Sequence, residues 1–86
     1  MYTVYLLECE GDTIYTGIAV DVDRRFEEHK KGVGASYTRS HKPLKILYTE
    51  KCPDRGSALR REAAIKKLKR TEKLALVSQT RRRVVK

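Results

Sequence analysis

Two β-branched and aromatic runs stand near the start of this chain, and apolar residues then recur at helical spacing. Tyr2-Thr3-Val4-Tyr5-Leu6-Leu7 and Thr13-Ile14-Tyr15-Thr16-Gly17-Ile18 are β-branched and aromatic runs, and Glu10-Gly11-Asp12 between them can turn the chain, which predicts a β-hairpin. From about 22 to 31 the period changes. Val22 and Phe26 stand four apart, Asp21 can cap the start, and Gly32 suits the position just past the end of a helix. Pro43 introduces a third strand pattern, Leu44 to Thr49, with Leu44, Ile46 and Tyr48 on one face and Lys45, Leu47 and Thr49 on the other. Arg55 to Arg70 reads as a second helix capped by Asp54 or Ser57, with Ala58, Leu59, Ala64, Ile65 and Leu68 as its apolar set. Thr71 can cap a last short helix from Glu72 to about Gln79. The order is β-β-α-β-α-α in one small α/β (α+β) domain over residues 1–80, followed by a frayed basic tail, 81–86. Residues Gly32 to Lys42 are expected to form a flexible loop.

Several polar residues fall at positions that face the sheet or core. Tyr5 and Tyr15 can meet across the hairpin, although strand tyrosines also serve as ordinary packing residues. Arg25 lies three after Val22, and His29 lies three after Phe26 and four after Arg25, so both edge the stripe facing the sheet. An arginine there can equally pack its stem and send its head to solvent or an acid. Glu62 falls between Ala58 and Leu59 on the second helix, where a carboxylate needs a cation, a metal or water.

Charge points to a polyanionic partner. The 20 Lys and Arg against 11 Asp and Glu give +9, with a pI of about 9.8. The excess is confined to one half: residues 1–54 carry 8 basic and 9 acidic side chains, whereas 55–86 carry 12 basic and 2 acidic. Arg60, Arg61, Lys66, Lys67, Lys69 and Arg70 are therefore candidates for contact with nucleic-acid backbone, as is Arg39 in the loop, where Tyr37 offers a stacking ring and Thr38 a hydroxyl. A membrane partner is disfavoured, since no apolar run approaches the ~20 residues of a span. Met1 leads directly into a strand pattern, which makes the cytosol the default compartment. Cys9 and Cys52 lack paired spacing and are expected as free thiols, and two histidines, His29 and His41, do not suggest zinc.

The ordered set Tyr5, Tyr15-Thr16-Gly17, Arg25, His29 and Glu62 resembles the GIY-YIG nuclease domain over nearly the whole chain. Thr3-Val4-Tyr5 stands where that family has its first tripeptide and Tyr15-Thr16-Gly17 where it has its second. Arg24-Arg25-Phe26-Glu27-Glu28-His29 resembles the family's helix with arginine and histidine four apart, and Gly34-Ala35-Ser36-Tyr37-Thr38-Arg39 followed by Pro43-Leu44, then Ala58-Leu59-Arg60-Arg61-Glu62 and Ile65-Lys66-Lys67-Leu68, resemble the small stand-alone bacterial branch. The resemblance implies a three-stranded antiparallel sheet flanked by helices, a phosphodiesterase site, and one Mg²⁺ or Mn²⁺ ion. It implies Glu62 as metal ligand, Arg25 as phosphate clamp, Tyr5 as base for water, and Tyr15 and His29 as positioning or relay groups. Positive charge from Arg25 and the metal is expected to ease deprotonation of Tyr5. The implied partner is DNA, with branched, nicked or damaged forms foremost, RNA as the alternative polymer, and a repair complex as a setting. Two departures stand out: the first tripeptide lacks its glycine and isoleucine, and the chain has no asparagine, which many family nucleases use after the metal-ligand helix. They leave a second reading, a non-catalytic or partner-dependent DNA-binding module with the same fold.

Overall fold

The computed structural model of the chain describes residues 1–33 and 36–85. The hairpin forms as its composition predicts: β1 (Tyr2–Cys9) and β2 (Thr13–Ala19) pair antiparallel, with Tyr5 opposite Gly17 and Leu7 opposite Tyr15. Gly11 and Asp12 both take positive φ, 82° and 60°, in the turn between them. After Asp21, whose carboxylate accepts the Arg24 N–H at 3.1 Å, α1 runs from Val22 to Lys30 and ends before Gly32 at φ 78°. The stretch expected as a loop contains a short helix, α2 (Ser36–Ser40), while Gly34 and Ala35 of the family-like motif lie outside the described residues.

The third strand, β3 (Pro43–Cys52), is longer than predicted and pairs with β1, giving the sheet order β2-β1-β3 with both pairings antiparallel. Its predicted alternation fails at two register shifts. Leu6 pairs with Tyr48 but Leu7 with Ile46, and Glu8 pairs with Lys45 but Cys9 with Pro43, so Leu47 and Leu44 are extra residues in the ladder. Leu44 is consequently 55% exposed, Ile46 packs on one face of the sheet, and Leu47 and Tyr48 both pack on the other.

Asp54, rather than Ser57, caps α3 (Arg55–Lys66), accepting the Ser57 N–H at 2.7 Å. This helix stops before the predicted Arg70. Glu72 reaches back to the Lys69 N–H at 2.8 Å and starts α4 (Arg70–Val85), so Thr71 sits inside the helix rather than capping it. The backbone expected to fray after residue 80 continues helical to Val85, with no glycine or proline to stop it, and Lys86 lies outside the described residues.

Strand β1 divides the interior in two. Val4 and Leu6 face α3 and α4, packing with Cys52, Ala58, Ile65 and Val77. Tyr5, Leu7 and Cys9 face the other way, toward Val22 and Phe26 of α1 and Ile46 of β3. Both cysteines are buried free thiols. Among the described residues, no helix is long and apolar enough to cross a membrane.

Candidate active site

Strand alternation sends the Tyr5 phenol to the α1 face, where its diagonal neighbour Tyr15 lies with ring centroids 6.3 Å away. The residue directly opposite Tyr5 is Gly17, and the Tyr5 ring lies over it. A Cβ added at Gly17 would stand 2.6 Å from the Tyr5 hydroxyl and 3.0 Å from the Tyr15 ring. The glycine of the second tripeptide is thus the floor on which both phenols rest.

Helix α1 delivers the rest by its period. Four residues after Arg25, His29 is fully buried, with its ring 6.0 Å from that of Tyr5 and 5.0 Å from that of Tyr15. Tyr5 Oη lies 2.9 Å from His29 Nε2, and His29 Nδ1 lies 2.7 Å from Thr38 Oγ1 of α2. Burial first and Tyr15 second push the Tyr5 pKa up to about 12, while burial first and Arg25 second hold His29 below its ordinary 6.5. Both groups are therefore neutral near pH 7. A phenol is a better donor and a poorer acceptor than an alkyl hydroxyl, so we assign Tyr5 O–H as donor to Nε2 and Nδ1–H as donor to Thr38. With that assignment Tyr5, His29 and Thr38 form one continuous hydrogen-bonded chain.

The expected easing of Tyr5 deprotonation is present only in part. The Arg25 guanidinium does pull the phenol down, but the loss of solvent outweighs it. Arg25 is itself engaged, with Nη1 2.9 Å from Glu28 Oε1, and Arg24 reaches the same carboxylate at 3.5 Å. Glu62 comes from α3, with 17% of its side chain exposed and its carboxylate 3.4 Å from Lys66, and its charge bears on Tyr5 in the raising direction. Of the five predicted residues, Tyr5, Tyr15, Arg25 and His29 gather around one centre, and Glu62 is connected to it only by the raising effect of its charge on Tyr5.

The basic surface sorts into engaged and unengaged groups. Arg61 is held by Glu50 at 2.8 Å, and Arg70 clasps the hairpin turn through Asp12 Oδ1 at 2.7 Å and the Asp12 carbonyl at 2.6 Å. Arg60 touches Ser57 at 3.3 Å. Arg39, Lys67 and Lys69 have no ion pair among the described residues. Tyr37 stacks on Tyr15 at 5.9 Å and on His41 at 4.4 Å, so its ring is part of a protein stack leading out from the site. Thr38, expected to offer its hydroxyl to a substrate, is buried against His29 instead. Sequence reasoning missed this role, and it missed Glu28 as the partner of Arg25, although their i, i+3 spacing on a helix was the available signal.

The GIY-YIG catalytic domain model matches residues 1–75, and the chain belongs to that family, which carries a nuclease-type function. Within it, the similar proteins bear the name UPF0213. A UPF0213 protein of Cupriavidus necator is 51% identical over 76 residues, 88% of this chain and 83% of that protein, and one of Syntrophus aciditrophicus is 44% identical over 94% of both. The solution NMR structure of a UPF0213 protein from Bacillus halodurans is similar with a TM-score of 0.58 and 42% identity, covering 92% of this chain and 85% of that one.

Proposed function

We propose that this chain is a divalent-metal-dependent DNA endonuclease that hydrolyses phosphodiester bonds, with branched, nicked or damaged DNA as its preferred substrate and DNA repair as its setting. The observation that carries the reading is the Tyr5–His29–Thr38 chain, set beside Arg25. A phenol held up to about 12 does not act as a preformed phenolate. It acts as a relay. As a water oxygen attacks phosphorus, a water proton passes to Tyr5 Oη while the Tyr5 proton passes to His29 Nε2, giving imidazolium. The bond from phosphorus to the 3′ oxygen breaks, that oxygen takes a proton from solvent, and the Nε2 proton of His29 returns to Tyr5 as the phenol releases one to solvent. Thr38 accepts from Nδ1–H throughout and keeps Nε2 free to receive. Arg25 exchanges Glu28 for the phosphoryl oxygens, where its planar fork matches two of them.

The donor set fits a hard cation better than a soft one. Among the described residues no three His, Cys, Asp or Glu form a metal cage, and both nitrogens of His29 are engaged. Glu62, a largely enclosed carboxylate whose one ion pair among the described residues is with Lys66, would hold Mg²⁺ or Mn²⁺ as its one protein ligand. The ion when bound supplies charge neutralisation at the phosphoryl group.

The test is incubation of wild type and Glu62→Gln with single-stranded, duplex, flap, nicked and four-way-junction DNA, with Mg²⁺, with Mn²⁺ and with chelator. Cleavage by wild type alone, abolished by chelator and reduced at least ~10²-fold in Glu62→Gln, is expected. Tight binding with no cleavage under any condition would replace this reading with a non-catalytic or partner-dependent DNA-binding module.

A further inference from the structure

Against His29 and Thr38 lies a cavity of about 560 Å³ that neither Tyr5 nor Tyr15 lines. His29 and Thr38 form part of its wall, and Lys30, Lys31, Arg39 and Lys42 surround it, with Glu10 as the one acid among the described residues. Neither Tyr5, Arg25 nor Glu62 lines it, so it is separate from the place where the reacting phosphate would sit.

The convergence of charge is the informative part. Residues 1–54 are net acidic, yet four of their eight basic side chains meet at this one cavity. Lysines at 30 and 31 suit the end of a helix, where they offset the carbonyl dipole, and Lys30 also lies 3.5 Å from Glu27. Arg39, in the last turn of the short α2, and Lys42, just before β3, come to the same place from beyond that helix. Lys31, Arg39 and Lys42 have no ion pair among the described residues. Clustered like charges repel one another, and a bound anion relieves that repulsion.

We propose that this basin binds a second phosphate of the nucleic acid, distinct from the one undergoing hydrolysis. The proposal rests on the nuclease reading for its ligand. An internal phosphodiester and a terminal phosphomonoester share the required chemistry, and the experiment separates them.

The probes are three fluorescent DNAs: a flap with a 5′-hydroxyl end, the same flap with a 5′-phosphate, and a closed dumbbell without ends. Binding is measured by anisotropy in chelator, so that cleavage is not needed, over a series of salt concentrations. The variant Lys31→Ala/Lys42→Ala is compared with Lys45→Ala/Lys51→Ala, which removes the same charge elsewhere. The basin pair is expected to weaken binding about tenfold and to lower the salt slope by about 1, as loss of one phosphate contact does, with the control pair near wild type. Weakening on all three probes assigns an internal phosphodiester, and weakening confined to the phosphorylated flap assigns a terminal phosphate. Equal weakening by both pairs, or wild-type binding by the basin pair, overturns the subsite and leaves the nuclease reading standing. Failure of the wild type to bind any probe overturns both.

Discussion

Tyr5 and Leu6 are neighbours on β1, both shut away from solvent, and they serve opposite faces of one sheet. On the Leu6 side Val4, Ile65 and Val77 interact only through shape and the exclusion of water, beside one buried hydroxyl, that of Thr16 opposite Leu6, which has no hydrogen-bond partner among the described residues. On the Tyr5 side the buried groups include a phenol, an imidazole and a threonine hydroxyl, each needing a partner in place. The first face tolerates exchange of similar volumes, whereas the second depends on positions held to a fraction of an ångström. A strand one residue out of register would exchange the two sets, so the stability of the apolar face fixes the geometry of the polar one.

This contrast can be broken from either side. The largest effect is expected at Gly17, where alanine would press a methyl carbon against the Tyr5 hydroxyl and move the head of the proton chain. Gly17→Ala should lower the cleavage rate by ~10²–10³ while the protein still folds, measured by single-turnover kinetics alongside circular dichroism. An unchanged rate would remove Tyr5 from the chemistry.

Leu6→Ala tests the opposite face. It should cost about 2–5 kcal/mol of stability by urea denaturation, with the rate per folded molecule close to wild type. A large loss of rate in fully folded protein would show that the faces are not separable.

The smallest expected change sharpens the comparison through pH. His29 must be neutral to accept the Tyr5 proton, and burial and Arg25 hold its pKa below 6.5, so the acid limb of the rate profile should lie below that pH. The same shift bears on stability. Below 6.5 the unfolded chain binds a proton that the folded chain resists, so stability is complete above that pH and declines as pH falls toward the folded pKa. Thr38→Val keeps the side-chain shape but strands the Nδ1–H. It should slow cleavage about tenfold and displace the acid limb, with Thr38→Ser restoring both. Superimposable profiles for Thr38→Val and wild type would deny Thr38 any part in positioning His29.

What could be read from the sequence was local or periodic. The hairpin turn, the caps Asp21 and Asp54, Gly32 at the end of α1, and the four-residue step from Arg25 to His29 all follow from rules that act within one or two turns of chain. The rest depended on pairings made at a distance. The extra residues Leu44 and Leu47 come from how β3 meets β1, which the alternation within β3 cannot reveal. Thr38 looked like a loop hydroxyl because its partner His29 is nine residues away across a turn. Arg70 looked like a free basic group because Asp12 is 58 residues away.

The ring stack around the site has a practical consequence. The chain has no tryptophan and five tyrosines, and three of these, Tyr5, Tyr15 and Tyr37, belong to one chain of ring contacts. Near-ultraviolet circular dichroism depends on aromatic rings held in fixed surroundings. In this protein three rings of the site contribute to that signal, beside Tyr48, which Glu50 holds on the other face. The spectrum therefore includes a label-free report on the candidate active centre, and it should change when α2 or a bound strand shifts the stack.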